Sequence, residues 1–319
     1  FPPGHRQRRE ASRFMTFLSD EAWLELLDVR ATDPTAIGAA LAARTTRPLL
    51  ANDGATFIIA IDHPARGMVG VSGQPFVMAD RRDVLERTMT ALSDPGVDGV
   101  MATPDILDDL ALLGALDDKV AIGSINRGGL MGSAWELDDQ LTGHTVPSIV
   151  EQGLDGGKML LRIDLADERS RPTIEACARW ITELAAVEKI AMLEPLPYTT
   201  SSTGDKHLDT DEDALIKCVG IASALGASSA YTWLKLPATA EVERVMAATS
   251  LPGLILGGTP GPDPKSAFDE WRRAMAVPNV RGLVVGRSLL YPQDGDVAAA
   301  VATAAEIVHP HLIPEEETQ

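Results

Sequence analysis

Aromatic side chains make up only 4% of the 319 residues, cysteine occurs twice, and lysine supplies just seven of the 28 basic residues. With so few aromatics, the core has to be built from Ala, Val, Leu and Ile, and the 45% hydrophobic content allows a large one. Cys177 and Cys218 stand in helix-like segments without metal spacing. That excludes a disulfide framework and reads as reduced core thiols in a cytoplasmic protein. Positive charge is also short: the net charge of −18 argues against nucleic acid or an anionic membrane as partner. A small anionic substrate stays open, because a few local arginines and backbone N–H groups can hold a phosphate. No apolar run approaches the roughly 20 residues that span a bilayer. The basic start lacks a following apolar segment, so it does not read as a secretory signal.

What the chain does have is regular alternation. Two helical stretches, 20–29 and 34–44, come first. Short apolar runs then follow at 56–61, 96–101, 120–125, 157–163, 189–193, 230–234, 253–256 and 280–285. Helical stretches, such as 82–92, 171–186, 212–225, 241–248 and 264–275, separate most of them. Alternating strands and helices imply parallel strands with helical crossovers, and eight of them imply a closed (β/α)8 TIM barrel. The expected layout is an N-terminal helical extension over 1–50, a barrel over 51–310 and an acidic tail over 311–319. An open doubly wound sheet is the alternative, but no G-x-G-x-x-G follows the first strand.

Polar residues cluster where the strands end. Asp62 and His63 end the first, Asn126 and Arg127 the third, Glu194 the fifth, Lys235 the sixth, Gly257 and Gly258 the seventh, Gly286 and Arg287 the eighth. In a barrel these ends converge on one mouth, where catalytic groups lie, although strand ends also turn polar simply because loops begin there. Lys235, in the apolar run Ala230–Pro237, is the sharpest of them. Burial lowers the pKa of an ammonium and frees a nucleophilic amine, the chemistry of a Schiff base; a lysine snorkelling from a strand end is the plain alternative. Lys158 lies within the fourth strand, two places around the barrel, where a second cation would depress Lys235 further. Glu194 is placed to move a substrate hydroxyl proton. Asp62 is placed to orient a hydroxyl, and either carboxylate is equally able to pair with an arginine. The glycines and Arg287 at strands seven and eight suit a phosphate, with turn chemistry as the alternative for the glycines. Lys119 and Lys189 start their strands and are expected in solvent. The polar stretch 198–213 reads as a solvated loop or a mobile lid, and 128–141 as a rim loop.

The stretches Ala60–Gly67, Gly153–Leu161, Met192–Leu196, Trp233–Pro237 and Val285–Arg287 together resemble the class I, Schiff-base aldolases of the DeoC/LacD-type barrel superfamily. Within it the chain is similar to the tagatose-bisphosphate aldolase group and, over its whole length, to actinobacterial barrel proteins found with myo-inositol catabolism genes. The resemblance implies Lys235 as Schiff-base lysine, Glu194 as acid/base, Lys158 as accessory lysine and Asp62 as the strand-one aspartate, with Gly258, Gly286 and Arg287 in the phosphate region. It departs after Asp62, where His63-Pro64-Ala65-Arg66-Gly67 replaces a Gln-Arg-Gly, so the resemblance assigns nothing to Arg66. The loop Thr259-Pro260-Gly261-Pro262 also lacks the family's hydroxyl-rich pattern.

The expectation is therefore a metal- and cofactor-independent lyase that cleaves a phosphorylated ketose or keto-sugar acid. The inositol association points to 2-deoxy-5-keto-D-gluconate 6-phosphate, with Asn126 and Arg127 meeting its carboxylate and His63 a further substrate ligand. Hexose bisphosphates remain open, as do a sugar-phosphate isomerase or epimerase and a non-catalytic sensor on the same barrel. A metal-dependent aldolase would draw on His63, His144 and His207, which share no ligand spacing. The expected partner is a phosphorylated small molecule, and the expected assembly a homo-oligomer.

Overall fold

The apolar runs are buried on both faces, as parallel strands flanked by helices must be. A computed structural model describes residues 17–258 and 264–310. Helices α1 (Asp20–Thr32) and α2 (Thr35–Ala43) precede β1 (Thr56–Ile61), α3 (Arg81–Leu92), β2 (Gly99–Ala102), α4 (Pro104–Leu112) and β3 (Val120–Ser124). Then come α5 (Val146–Glu151), β4 (Gly156–Ile163), α6 (Ser170–Ala186), β5 (Ile190–Thr200), β6 (Lys206–Leu208) and α7 (Glu212–Ser223). The chain closes with β7 (Thr232–Pro237), α8 (Val242–Met246), β8 (Gly253–Leu256), α9 (Pro264–Met275), β9 (Val280–Val285), α10 (Arg287–Leu290) and α11 (Val297–Val308). Among the described residues the nine strands form one sheet; β6 pairs antiparallel with β5, which leaves eight parallel strands. Their order closes on itself through β1–β9 and β4–β5, so the expected (β/α)8 barrel is the fold.

Strand periodicity divides the core into two layers. Ile58, Ala60, Met101, Ile122, Met192 and Val284 point inward and pack together as a small interior cluster. Their neighbours Phe57, Ile59, Val100, Leu193 and Val285 point outward into the larger layer beneath the helices. The first two helices lie outside the barrel: Arg30 of α1 donates to Asp109 on α4 at 2.5 Å, and Arg44 reaches Lys119 O and Gly153 O at 2.9 and 2.5 Å.

Two boundaries differ from the sequence reading in ways that shape the mouth. Lys235 lies inside β7 rather than after it. β5 runs to Thr200, well past the expected 193. Prolines explain the second difference. Ala191 donates its N–H to Tyr231 O, so the odd-numbered N–H groups of β5 face β7. Pro195 and Pro197 have no N–H to give there, and the β5–β7 ladder stops at Leu193 opposite Leu234. On the other side β5 stays paired with β4 as far as Ile163 opposite Pro197. The strand thus peels away from β7 and turns into a hairpin, Tyr198–Thr200 against Lys206–Leu208, where a solvated loop was expected.

At the opposite end, the chain beyond α11 ties the first two strands. His309 is almost fully buried, with Nδ1 2.6 Å from Asp53 and Nε2 2.9 Å from Asp98, which also accepts from the Phe57 N–H. Burial opposes the imidazolium, but the hydrogen bonds and charges of Asp98 and Asp53 win and raise its pKa. A raised folded-state pKa gives stabilisation that is complete below the unfolded histidine value of about 6.5. It fades as pH climbs through the folded value. Accordingly His309→Ala should cost about 1–3 kcal/mol near pH 6. The Tm gap to the parent protein should narrow steadily in thermal melts from pH 6 to 9, and a gap that widens with pH would show that this histidine is not held charged.

Candidate active site

The inward parity of the strands carries into the mouth. In β1 Ile58 and Ala60 lead to Asp62; in β5 Met192 leads to Glu194; in β7 Trp233 leads to Lys235. Lys158 faces the same way from β4, and these groups wall a cavity of about 660 Å³. Both lysines reach one carboxylate. Lys235 Nζ is 2.7 Å from Glu194 Oε1, and Lys158 Nζ is 2.5 Å from Glu194 Oε2. Lys158 Nζ also lies 3.3 Å from Asp62 Oδ2, which accepts from Ser124 Oγ at 2.9 Å and contacts the Arg127 guanidinium. Charges therefore alternate along a buried chain: Arg127, Asp62, Lys158, Glu194, Lys235.

Electrostatics in so dry a place depart from those in water. Burial, with the positive fields of Arg127 and Arg287, pulls the Lys235 ammonium below the ordinary lysine range against the pull of Glu194. Lys158 is lowered well below that range, chiefly by burial and then by Arg127. Burial alone would raise Glu194, yet the two lysines hold its carboxyl well below the usual range, so it stays ionised. His63 is pushed far down by burial, then by Arg287, Lys235 and Lys158, and stands as a neutral imidazole.

Most of the residues singled out in the sequence meet here. Asp62, His63, Arg127, Lys158, Glu194 and Lys235 line the cavity, as do Gly257, Gly258, Gly286 and Arg287 on the β8–β9 side. Gly286 has to be glycine, because a Cβ would collide with Ala60 O and crowd the His63 ring. Gly258 adopts a left-handed φ of 63°; the loop 259–262 after it lies outside the described residues.

Asn126 does not reach the cavity. Its fully buried amide donates to Asp139 O and Leu160 O at 3.1 and 2.7 Å and accepts from Leu160 N at 2.7 Å, which commits it to holding the 126–145 loop on β4. Lys119, expected in solvent, donates to Val97 O at 2.6 Å on the opposite rim. Lys206 is spent on Asp167 and Thr200, at 2.6 and 2.5 Å, and clasps the β5–β6 hairpin along the mouth. In the rim loop, Trp135 is half exposed and donates to Gly128 O at 3.0 Å.

Sequence reading missed a second buried ion cluster. Arg162 is fully buried, 2.7 Å from Glu136, 3.1 Å from Asp139 and 3.0 Å from Gly129 O, and it fastens the rim loop to β4. The signal was present, since Arg162 stands four residues beyond Lys158 and shares its inward parity. Ser124 follows Ile122 in the same way on β3. Among the described residues no cluster of three or more His, Cys, Asp and Glu is placed to hold a metal ion. No described helix is long and apolar enough to cross a membrane.

No curated protein matches the chain. A solved structure, Cgl0159 from Corynebacterium glutamicum, is 50% identical, covers 93% of this chain and 99% of its own, and superposes with a TM-score of 0.90. An archaeal fructose 1,6-bisphosphate aldolase shares the fold at 18% identity and a TM-score of 0.61, covering 86% of this chain and 99% of its own. A further archaeal aldolase structure of that kind, with its catalytic lysine covalently bound to the carbinolamine intermediate, gives 17% identity, the same two coverages and a TM-score of 0.59. At such identities the two aldolases speak for the barrel alone. The Cgl0159-like family model matches residues 54–305, most of the chain, and the chain belongs to that family.

Proposed function

We propose that the protein is a class I aldolase that cleaves a phosphorylated ketose or keto-sugar acid through a Schiff base on Lys235. The observation that carries this reading is the pair of buried lysines sharing Glu194 on the wall of the barrel-mouth cavity. Resemblance to Schiff-base aldolases, and fold neighbours that include one caught as a lysine carbinolamine, support it.

Two carboxylates flank Lys158 and one flanks Lys235. When the pair gives up a proton, the two carboxylates on Lys158 favour losing it from Lys235, even though burial and Arg127 lower Lys158 further than Lys235 is lowered. The neutral amine still donates one N–H to Glu194, which turns its lone pair toward the cavity. That lone pair attacks the ketone carbon, and the carbinolamine loses water as a proton is delivered to its hydroxyl, leaving an iminium. Glu194 takes the proton of the β-hydroxyl. The C–C bond breaks, its electrons flow to the iminium nitrogen, and an aldehyde departs. Protonation of the enamine carbon and hydrolysis of the regenerated iminium release dihydroxyacetone phosphate and restore the amine. The iminium is the electron sink throughout. Lys158, held cationic between Asp62 and Glu194, steadies the developing alkoxide.

The phosphate belongs at the β8–β9 ends, on Gly258, Gly286 and Arg287. Two substrates fit this scheme and share the dihydroxyacetone phosphate half. Resemblance to barrel proteins found with inositol genes favours 2-deoxy-5-keto-D-gluconate 6-phosphate, whose carboxylate half would leave as malonate semialdehyde toward Arg127. The fold neighbours favour a hexose bisphosphate, whose other product is glyceraldehyde 3-phosphate. Identifying the aldehyde separates them.

Borohydride added with dihydroxyacetone phosphate should fix a stable adduct on the peptide bearing Lys235. Lys235→Met should abolish that adduct and lower cleavage at least about a thousandfold, as loss of a covalent nucleophile does. An adduct on Lys158 would exchange the two roles, cleavage without any adduct would leave a metal-dependent route, and neither cleavage nor adduct would leave an isomerase or a sensor.

The pH dependence follows from the lowered Lys235. The amine attacks when neutral, so trapping should rise with pH along a limb that lies below the ordinary lysine range. Arg127→Gln removes a charge that depresses Lys235, which should move the limb to higher pH. A limb that stays in place would show that Arg127 does not act on the nucleophile.

A further inference from the structure

Arg66 has no part in the scheme above, yet its setting is costly. It ends the 3-10 turn Pro64–Arg66 just after β1. Its side chain is 9% exposed and faces the cavity, and its Nε has no hydrogen-bond partner. The nearest carboxylate, Glu136, lies 3.6 Å from its Nη2 and already accepts from Arg162 at 2.7 Å. Arg287 opens the segment after β9, the strand paired with β1. Its Nε is likewise buried without a partner, and among the described residues it makes no ion pair. Gly286 seats this segment directly against Ala60 O and the His63 ring. The two guanidiniums thus stand on neighbouring strand ends, with His63 beside the Arg287 segment, and face one cavity. Burial, and after it the charge of Arg66, lowers the proton affinity of Arg287.

The rest of the cavity does not answer this charge. Arg127, Lys158 and Lys235 already share Asp62 and Glu194, Arg162 takes Asp139 and the nearer contact to Glu136, which Arg66 only shares, and Asp205 on the hairpin accepts from Thr203. A protein whose net charge is −18 therefore concentrates unanswered positive charge at one place on its cavity wall. Buried like charges are tolerated where an anion completes them. One guanidinium fork matches the plane of a carboxylate; two forks from different strands match the several oxygens of a tetrahedral dianion. His63, neutral, can add a hydrogen bond without adding repulsion.

We propose that Arg66 and Arg287 together grip the phosphate of the ketone substrate, and that Arg66 makes the site select phosphorylated over unphosphorylated ketones. This rests on the aldolase reading for the identity of the ketone, while the anion pair itself can be tested without catalysis.

The experiment has two arms. In the first, inorganic phosphate should raise the Tm of the parent protein relative to chloride at equal ionic strength, and Arg66→Gln should lose most of that rise. In the second, borohydride trapping is titrated with dihydroxyacetone phosphate and with dihydroxyacetone. Arg66→Gln should raise the half-saturating concentration of the phosphorylated ketone about 10- to 100-fold, the range for one charge-assisted contact, and leave that of dihydroxyacetone unchanged. Arg66→Lys should recover part of the loss. Should the glutamine variant not fold, Arg287→Gln must show the same selectivity from the other arm, measured at a pH above its own trapping limb because Arg287 also acts on Lys235.

No stabilisation of the parent by phosphate would overturn the pair. So would equal shifts for both ketones, which would make Arg66 a support for the rim loop through Met131 and Glu136. If the parent traps neither ketone but phosphate still stabilises it through Arg66, the anion pair stands and the aldolase reading falls.

Discussion

One carboxylate organises the mouth of this barrel. Glu194 presents an oxygen to each of two buried lysines, and without it two buried ammonium groups would face each other with no carboxylate between them. With it, they are held close and unequal: Lys158 has a second carboxylate in Asp62, and Lys235 has none. The arrangement depends on three successive barrel strands, β4, β5 and β7, paired side by side. It also depends on the two-residue strand period, which aims every member inward.

The surrounding structure serves that contact. Pro195 and Pro197, directly after Glu194, end the ladder to β7 and so leave room beside Lys235. The strand that would have filled the gap turns into the β5–β6 hairpin and becomes a wall. On the other side, the Arg162 cluster fixes the rim loop from beneath. Buried ion pairs of this kind give little net stability but penalise any rearrangement that leaves one member alone. In an active-site wall such rigidity is useful.

Much of this was legible in the chain. The barrel follows from eight apolar runs alternating with helices, and Lys158, Glu194 and Lys235 stand out because charge inside an apolar run is costly. What was hidden is instructive. Asn126 sits at a strand end like the others, and its side chain is nevertheless consumed by backbone groups of Leu160 and Asp139. Chain position cannot tell a polar group facing a cavity from one facing its own backbone. Arg162 and Ser124 stand within their strands, so inward parity reveals them and the strand ends do not. The hairpin after Tyr198 was hidden because its residues are polar throughout, and its pairing rests on backbone hydrogen bonds that composition does not reveal.

The closure of the barrel also bears on how the protein is made. β1 finds its second neighbour in β9, with Thr56 opposite Gly282, so the sheet stays open until β9 has left the ribosome. During that interval one side of β1 is an unsatisfied row of backbone donors and acceptors, able to pair with any extended polypeptide nearby. The stretch of translation between the first strand and the last is thus when the newborn chain is most exposed to aggregation, and when chaperone cover would matter most.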